Sequence, residues 1–390
     1  MIPYGKHHID EDDIQAVVDV LKSGMLTQGP AVEAFENAVA KYVGAKYAVG
    51  VSSGTAALHL SAIVAGVGPG TTSITSPITF VASANASLYA GGDVAFADID
   101  PETLNMSPAA LKEALVTHPS TNVIIPVHFG GVPCDMISIK ALADQAKAVV
   151  IEDAAHALGA RYMSGHRVGC CAHSLMTIFS FHPVKAIAAG EGGMITTNDD
   201  VVYHKLLRLR SHGINKINDE LQFQEQSYTN GVKNLWYYEM QELGYHCRIT
   251  DIQCGLGLSQ LKKLDKFIER RRLLANRYDE AFTNMRNCHP AQKIGTDVSG
   301  RHLYVLRIDF KKLGISRGQL MQELSAKKIG SQVHYIPVPS HPYFRNLGFE
   351  PNNYPHAQCY YEDALSIPLF YDLTDLEQQQ VINGFKECVG

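Results

Sequence analysis

The chain has 390 residues, of which 46% are hydrophobic and 19% charged, and its formal net charge is −5. Such a chain buries a large core, which we expect to be divided over two domains, and its lack of basic runs argues against nucleic-acid or anionic-membrane binding. The eight cysteines show no CxxC or zinc spacing, and no apolar run reaches membrane-spanning length. The start does not resemble a signal peptide, so we expect a cytoplasmic protein with reduced thiols and no metal site.

The chain begins with two predicted helices and a strand at residues 47–51, which leads into a helix at 56–65. The junction between that strand and that helix contains Ser53, Gly54 and Thr55. Free backbone N–H groups at the helix start, together with the two hydroxyls, form a candidate anion site, and Gly54 leaves room for the anion. The alternative interpretation is an ordinary helix cap.

From residue 70 onward, short β-branched or apolar runs alternate with helical segments. The predicted strands lie at residues 73–76, 94–97, 123–127, 148–152, 177–181 and 194–197. Repeated strand–helix units predict an α/β fold with a mostly parallel sheet and helices on both faces. Ligands of such sheets bind outside the carboxyl ends of the strands, where Ser53, Thr55, Thr79, Phe80 and Asp153 are expected.

Asp153 follows a hydrophobic strand and precedes two alanines. Burial of a carboxylate there is costly unless a positive group faces it, and the small residues leave room for a ring. The alternative is that Asp153 caps a helix.

Lys185 ends the segment SFHPVK, between the strand at 177–181 and the glycine cluster GEGG at 190–193. Apolar and small neighbours exclude water from the amine and are expected to lower its pKa toward neutrality. A neutral amine is the form that attacks an aldehyde, so Lys185 is a candidate for covalent catalysis. The glycines are expected to let the backbone pass close to a bulky ligand. The alternative is an ordinary surface lysine at a strand end.

The rest of the chain predicts a smaller second domain. Residues 214–245 are polar with little periodicity, and we interpret them as a long excursion that is mobile or lies at an interface. A long helix over residues 250–286 is followed by an α+β unit. The predicted elements of this unit are strands at 303–310 and 331–336 and helices after Ser316, at 355–364 and at 374–388. We therefore expect a large domain at residues 1–250 and a small domain at 251–390.

A candidate phosphate site, a buried carboxylate and a desolvated lysine thus occur in that order on one predicted sheet. Pyridoxal 5′-phosphate needs all three, because its phosphate binds an anion site, its ring nitrogen an acidic partner and its aldehyde an amine. Each signal is weak alone, but the ordered set predicts this cofactor.

Nine segments spread almost from end to end of the chain resemble the sugar aminotransferases of the DegT/DnrJ/EryC1/StrS family. They are LTQG at 26–29, SGT at 53–55, PITF at 77–80, EDAAH at 152–156, FSFH with Lys185 at 179–185, GEGG at 190–193, RSHG at 210–213, RITDIQ at 248–253 and QVHY at 332–335. The resemblance implies the type I fold of enzymes that use pyridoxal phosphate, and a homodimer whose active sites are shared between subunits. Within the family, SFHPVK combined with QVHYIP most resembles the transaminases of pseudaminic acid synthesis.

The resemblance also implies residue roles. Lys185 would bind the cofactor covalently and carry the proton, Asp153 would pair with the ring nitrogen, and Phe80 would stack on the ring. The implied cofactor-binding residues are Ser53, Gly54, Thr55, Phe80, Asp153, His156, Ser180, Lys185 and His246. Those implied to lie near a sugar nucleotide are Tyr4, Met25, Leu26, Thr27, Arg248, Gln332, His334 and Tyr335.

His246 departs from the family pattern, because relatives commonly have an asparagine that reaches the partner's phosphate site. A histidine also donates to phosphate, but it is bulkier and titrates near neutrality.

The implied reaction moves an amino group from L-glutamate to C4 of a UDP-linked 4-keto-6-deoxy-N-acetylhexosamine. The sequence leaves open an aminotransferase for GDP- or dTDP-linked ketosugars, a sugar dehydratase and a non-enzymatic regulator that binds pyridoxal phosphate. Relatives that dehydrate sugars have histidine in place of the lysine, so Lys185 argues against a dehydratase. The negative net charge and the absence of a DNA-reading element argue against a regulator.

Overall fold

A computed structural model describes residues 1–216, 219–292 and 298–389 of the chain. A seven-stranded sheet forms its centre, with the spatial order β1-β7-β6-β5-β4-β2-β3. The strands are β1 (Tyr47–Val51), β2 (Thr72–Thr75), β3 (Asp93–Phe96), β4 (Thr121–Ile125), β5 (Val149–Asp153), β6 (Met176–Ser180) and β7 (Gly193–Thr197). Every pairing in this sheet is parallel except those of β7, which runs antiparallel to both β1 and β6. This topology confirms the predicted mostly parallel sheet.

Helices cover both faces of the sheet because neighbouring residues of each strand point to opposite sides. Val49 and Ile178 belong to one core cluster, which also contains Leu60, whereas Ala48 and Phe179 belong to another. The helices of this part of the chain are α1 (Glu11–Lys22), α2 (Pro30–Val43), α3 (Gly54–Val64), α4 (Ala82–Tyr89), α5 (Pro108–Thr117), α6 (Met136–Ala146) and α7 (Asp200–Leu209).

A long helix, α8 (Asp251–Phe282), connects the sheet to a second hydrophobic core. Leu264 and Ile268 pack in the core of the large sheet, whereas Leu274 and Tyr278 belong to the second core. The domain boundary expected at residue 250 therefore stays a prediction, because one uninterrupted helix contributes to both cores.

The second core lies against a three-stranded antiparallel sheet, with the order β12-β13-β14. Its strands are β12 (Cys288–Pro290), β13 (Tyr304–Ile308) and β14 (Ala364–Ile367). The accompanying helices are α9 (Phe310–Leu313), α10 (Arg317–Ala326), α11 (Pro342–Asn346), α12 (Pro355–Asp363) and α13 (Asp375–Val389). The predicted smaller α+β unit is thus present.

The strand predicted at 331–336 is wrong. Only Gln332 pairs there, through two backbone hydrogen bonds with Ser366 of β14, and the chain then turns away irregularly toward Pro337. The alternating pattern has another origin, because residues 332 to 336 all line the cavity described below. β12 and β14 were not predicted.

The excursion predicted at 214–245 contains two short antiparallel pairs. β8 (Ile214–Lys216) pairs with β11 (Tyr238–Met240), and β9 (Tyr228–Thr229) pairs with β10 (Val232–Lys233). Residues 217 and 218 of this excursion lie outside the described residues.

Within the described ranges, no helix is both long and apolar enough to cross a membrane. The same residues contain no cluster of side chains suited to a metal ion.

Candidate active site

A cavity of about 750 Å³ opens at the carboxyl ends of β1, β2, β5 and β6. This is the edge of the sheet where the sequence predicts a ligand, and most of the predicted site residues meet there. The predicted residues that line it are Tyr4, Ser53, Gly54, Thr55, Phe80, Asp153, His156, Ser180, Lys185, Gln332, His334 and Tyr335.

Five predicted residues do not line this cavity, and they lie together elsewhere. Met25 and Leu26 are exposed, and Thr27 pairs with Thr250 at the start of α8. Arg248 pairs with the end of β1, and its Nη2 lies 3.0 Å from His246 Nε2. This group therefore does not line the cavity that contains Lys185.

The candidate anion site is the start of α3. Ser53 is the N-cap of α3, and its Oγ accepts a hydrogen bond from the Ala56 N–H at 3.1 Å. The helix-cap alternative is thus correct for Ser53. The N–H groups of Gly54 and Thr55 begin the helix, where no intrahelical acceptor is available, so this end attracts an anion.

The structure gives a further reason for glycine at position 54, beside the predicted room for an anion. A Cβ there would lie 2.9 Å from the Cβ of Ser180, so Gly54 is needed to bring β6 and its Ser180 hydroxyl against the start of α3. Gly193 acts similarly, because its Cβ would lie 2.4 Å from the carbonyl oxygen of Ser53. Close backbone packing therefore places Ser53, Gly54, Thr55 and Ser180 side by side.

Asp153 is the last residue of β5 and is buried, with 5% of its surface exposed. One carboxylate oxygen accepts a hydrogen bond from the Ser83 hydroxyl at 2.7 Å, and the other accepts one from the Ala155 N–H at 3.1 Å. No helix begins after Asp153, so the helix-cap alternative is wrong. The carboxylate is held in one orientation at the wall of the cavity.

Lys185 lies in the turn that follows β6, and its side chain reaches the cavity. Burial lowers the pKa of its amine to about 8, although the nearby Asp153 carboxylate acts in the opposite direction. A substantial fraction of the amine is therefore neutral close to physiological pH. This is not the environment of an ordinary surface lysine.

His156 and Tyr335 form a hydrogen-bonded pair beside Lys185. The Gly130 N–H donates to His156 Nδ1 at 3.3 Å, so the ring proton is on Nε2, which donates to the Tyr335 hydroxyl oxygen at 3.1 Å. Burial, with contributions from Lys185 and His334, keeps the pKa of His156 well below its usual value, which agrees with a neutral ring. Tyr335 keeps its own proton to donate to another group.

The sequence model of the DegT/DnrJ/EryC1/StrS aminotransferase family matches residues 7–386. The chain belongs to this family. It is 40% identical over its whole length to the spore coat polysaccharide biosynthesis protein SpsC of Bacillus subtilis, 97% of which is covered. Among solved structures it is similar to the sugar aminotransferase Spr1654 of Streptococcus pneumoniae, with a TM-score of 0.89 and 32% identity over 100% of this chain and 99% of that one.

Helicobacter pylori PseC, an aminotransferase involved in the biosynthesis of pseudoaminic acid, gives the same TM-score of 0.89 with 29% identity, over 100% of this chain and 99% of that one. The DegT/DnrJ/EryC1/StrS protein described here is accordingly a sugar aminotransferase that depends on pyridoxal phosphate. Spr1654 itself has been solved in its PLP-form and PMP-form.

The cavity of this family member fits the cofactor. Lys185 offers an amine with a lowered pKa, Asp153 offers a fixed carboxylate, and the start of α3 offers an anion site. Phe80 lies at the cavity wall with 58% of its surface exposed, so its ring is free to stack on another ring. These four features are the set that an aldehyde, a ring nitrogen, a phosphate and a planar ring require.

Sequence reasoning missed several residues of the site. Ser83 orients Asp153 but lies within α4, 70 positions away in the sequence, and no local pattern marks it. Thr79, which the sequence did predict at this edge of the sheet, hydrogen-bonds to Ser83 at 2.7 Å and extends this support. The other cavity residues that were not predicted include His182, Glu191, His302 and His341.

Proposed function

We propose that this sugar aminotransferase transfers an amino group from L-glutamate to C4 of a UDP-linked 4-keto-6-deoxy-N-acetylhexosamine. The product would serve the synthesis of bacterial surface sugars of the pseudaminic acid type, in the cytoplasm. The observation that carries this proposal is the half-buried Lys185, whose amine has a lowered pKa, in a large cavity of a chain that shares its whole fold with PseC. The name of SpsC, a polysaccharide biosynthesis protein, supports a role in making surface sugars.

The geometry supports the residue roles that the family resemblance implies. When bound, pyridoxal phosphate supplies an aldehyde that carries the amino group and a ring that stabilises negative charge at the substrate carbon. Lys185 would attach the cofactor through its neutral amine, and its pKa of about 8 would suit it both to accept and to donate the proton at the substrate carbon. Asp153 would hold a proton on the ring nitrogen, and the start of α3 with Ser180 would bind the phosphate.

The His156–Tyr335 pair is proposed to orient the ligands beside Lys185. His156 donates from Nε2 to Tyr335, so the tyrosine hydroxyl is directed as a donor toward a ligand group. Gln332 and Tyr4 line the same cavity and offer further polar contacts to a sugar. A wide cavity lined by such groups suits two substrates that occupy it in turn.

A panel of ketosugar nucleotides tests the substrate proposal. We expect turnover with UDP-linked 4-keto-6-deoxy-N-acetylhexosamines and L-glutamate, measured as 2-oxoglutarate formed. Sugars that differ only at C5 present similar polar edges, so discrimination between them should amount to only about 1–3 kcal/mol. Turnover only with GDP- or dTDP-linked sugars would overturn the choice of UDP and leave the aminotransferase assignment intact.

The protein is further proposed to be a homodimer with shared active sites. His246 and Arg248 lie outside the cavity that contains Lys185, and the segment before them exposes many large apolar side chains. Such an exposed apolar surface is typical of an interface. These side chains are Phe223, Tyr228, Val232, Leu235, Trp236, Tyr238, Met240 and Leu243.

Mixing two inactive variants tests the shared site. If Arg248 serves the partner's cavity, a hybrid of a Lys185→Ala subunit and an Arg248→Ala subunit contains one complete site. Because random exchange makes half the dimers hybrid, we expect activity to recover to about a quarter of the wild-type value. Each variant alone, carried through the same exchange, is the control. The shared site would be refuted if activity did not recover although mass spectrometry showed that subunits had exchanged. It would also be refuted if a protein that sediments as a monomer were fully active.

A further inference from the structure

A buried arginine without a counter-ion lies behind the wall of the main cavity. Arg271 of α8 is 3% exposed, and its Nη1 donates only to backbone carbonyl oxygens, including that of Leu369 at 2.9 Å and that of His302 at 3.4 Å. No carboxylate of the described residues forms an ion pair with it, and its Nε is buried without a partner. Buried charges are normally paired, so this arginine favours an anion nearby.

Arg271 is close to the reacting lysine. A second, small cavity of about 10 Å³ is lined by both Arg271 and Lys185, and Lys185 also lines the main cavity. Lys185 is the single lysine or arginine that lines the main cavity within the described residues. Arg271 would therefore stabilise a ligand anion near Lys185 electrostatically, without contacting it directly.

His302 lies between Arg271 and the main cavity. Its carbonyl oxygen accepts from Arg271, its N–H donates to the Gly130 carbonyl at 2.9 Å, and its ring lies 4.3 Å from that of His156. The imidazole lines the main cavity, and Nδ1 is buried without a hydrogen-bond partner. Burial, together with His156, Lys185, Arg271 and His334, holds the pKa of His302 well below its usual value. The ring is therefore neutral until an anion approaches it.

The chemistry of the donor requires its carboxylate to lie near Lys185. In an α-amino acid the carboxylate is bonded to the carbon that bears the amino group, so it must lie within a few ångströms of the lysine that moves the proton. The phosphate groups of the cofactor and of a sugar nucleotide lie farther from the reacting carbon. The two carboxylates that line the cavity, Asp153 and Glu191, form no hydrogen bond with His302 or Arg271.

We propose that His302, backed by Arg271, forms the subsite for the α-carboxylate of the amino-acid donor. The subsite rests on the proposed transamination from an amino acid. His302 donates a ring N–H to the carboxylate. Arg271, which lies behind His302, stabilises the negative charge of the carboxylate electrostatically. The sugar substrate has no carboxylate at the corresponding position, so it depends on His302 much less.

His302→Phe tests the subsite, because it keeps a ring of similar size and removes both nitrogens. In the cofactor-loaded protein we expect the calorimetric Kd of 2-oxoglutarate to rise roughly 10-fold to 100-fold, as for loss of a hydrogen bond to a charged group. The Kd of UDP should stay within about threefold. His302→Gln, which keeps a donor, should restore most of the 2-oxoglutarate affinity, and His302→Leu is the second variant should the phenylalanine protein not fold.

The matched control is His341→Phe, which removes another imidazole that lines the cavity but has no contact with Arg271. It should leave the Kd of 2-oxoglutarate unchanged. Unchanged 2-oxoglutarate affinity in both His302→Phe and His302→Leu, or an equal loss for 2-oxoglutarate and UDP, would overturn the subsite. A wild-type protein that accepts an amino group from no amino acid would instead refute the proposed function, so the two failures are distinguishable.

Discussion

Lys185→Ala is expected to abolish transamination, with turnover lower by about 10⁴-fold or more. The variant loses both the amine that attaches the cofactor and the group that moves the proton, and each role alone is worth orders of magnitude. Turnover is measured as 2-oxoglutarate formed under saturating L-glutamate and sugar nucleotide. Borohydride treatment followed by peptide mass spectrometry should label Lys185 in the wild type and no residue in the variant.

The fold should survive this change, since Lys185 donates no side-chain hydrogen bond within the described structure and forms no ion pair there. Lys185→Arg is the matched control, because it keeps a positive charge but offers no amine that becomes neutral near pH 8. It should be as inactive as the alanine variant. Labelling of a different lysine in the wild type, or turnover near normal in either variant, would contradict the assignment.

The lowered pKa of Lys185 can also be measured, from the pH dependence of its chemical labelling. The neutral form reacts with amine-selective reagents, so labelling of Lys185 in the cofactor-free protein should rise about tenfold per pH unit below pH 8 and then level off. The labelling that is present in the wild-type protein and absent from Lys185→Ala is that of Lys185.

The order of the site residues along the chain was predictable because each carries a local signature. Lys185 lies between an apolar strand and glycines, and Asp153 ends a hydrophobic strand. In a parallel sheet the carboxyl ends of strands meet at one edge, so topology alone brings Asp153, Ser53 and Lys185 together. The fold class follows from the same alternation of strands and helices.

Contacts across the fold were not predictable in the same way. Ser83 is an unremarkable serine in a short helix until α4 packs beside the end of β5, and His302 reaches the cavity only because Arg271 and Gly130 hold its backbone. The packing role of Gly54 was not predicted, because the close contact that forbids a Cβ comes from Ser180, which is distant in the sequence.

The wrong strand at 331–336 shows a further limit of periodicity. Alternation usually separates a buried face of a strand from a solvated one, but here consecutive residues all line one cavity. His334 is 7% exposed and hydrogen-bonds through Nδ1 to Ser366, yet it lines the cavity together with Gln332 and Tyr335. A sequence pattern of period two does not distinguish these cases.

Asp153→Asn is expected to lower turnover by about 10²- to 10³-fold while the fold and much of the cofactor affinity are kept. The amide has nearly the same shape: its oxygen still accepts from the Ala155 N–H, and its NH2 group donates to the Ser83 hydroxyl oxygen, but it lacks the negative charge that holds a proton on the ring nitrogen. Turnover at saturating substrates, together with cofactor content from the visible absorbance, measures the two effects separately.

Ser83→Ala is the matched comparison for Asp153→Asn, because it removes one hydrogen-bond donor and keeps the carboxylate. A hydrogen bond to a charged group is worth about 1.5–3 kcal/mol, so turnover should fall by at most about 10-fold to 100-fold. The charge and the orientation of Asp153 are thus separated: a large loss in Asp153→Asn with a small loss in Ser83→Ala assigns the effect to charge. Near-normal turnover of Asp153→Asn at saturating substrates would show that another group partners the ring nitrogen, and an equal loss in both variants would show that orientation alone decides the rate.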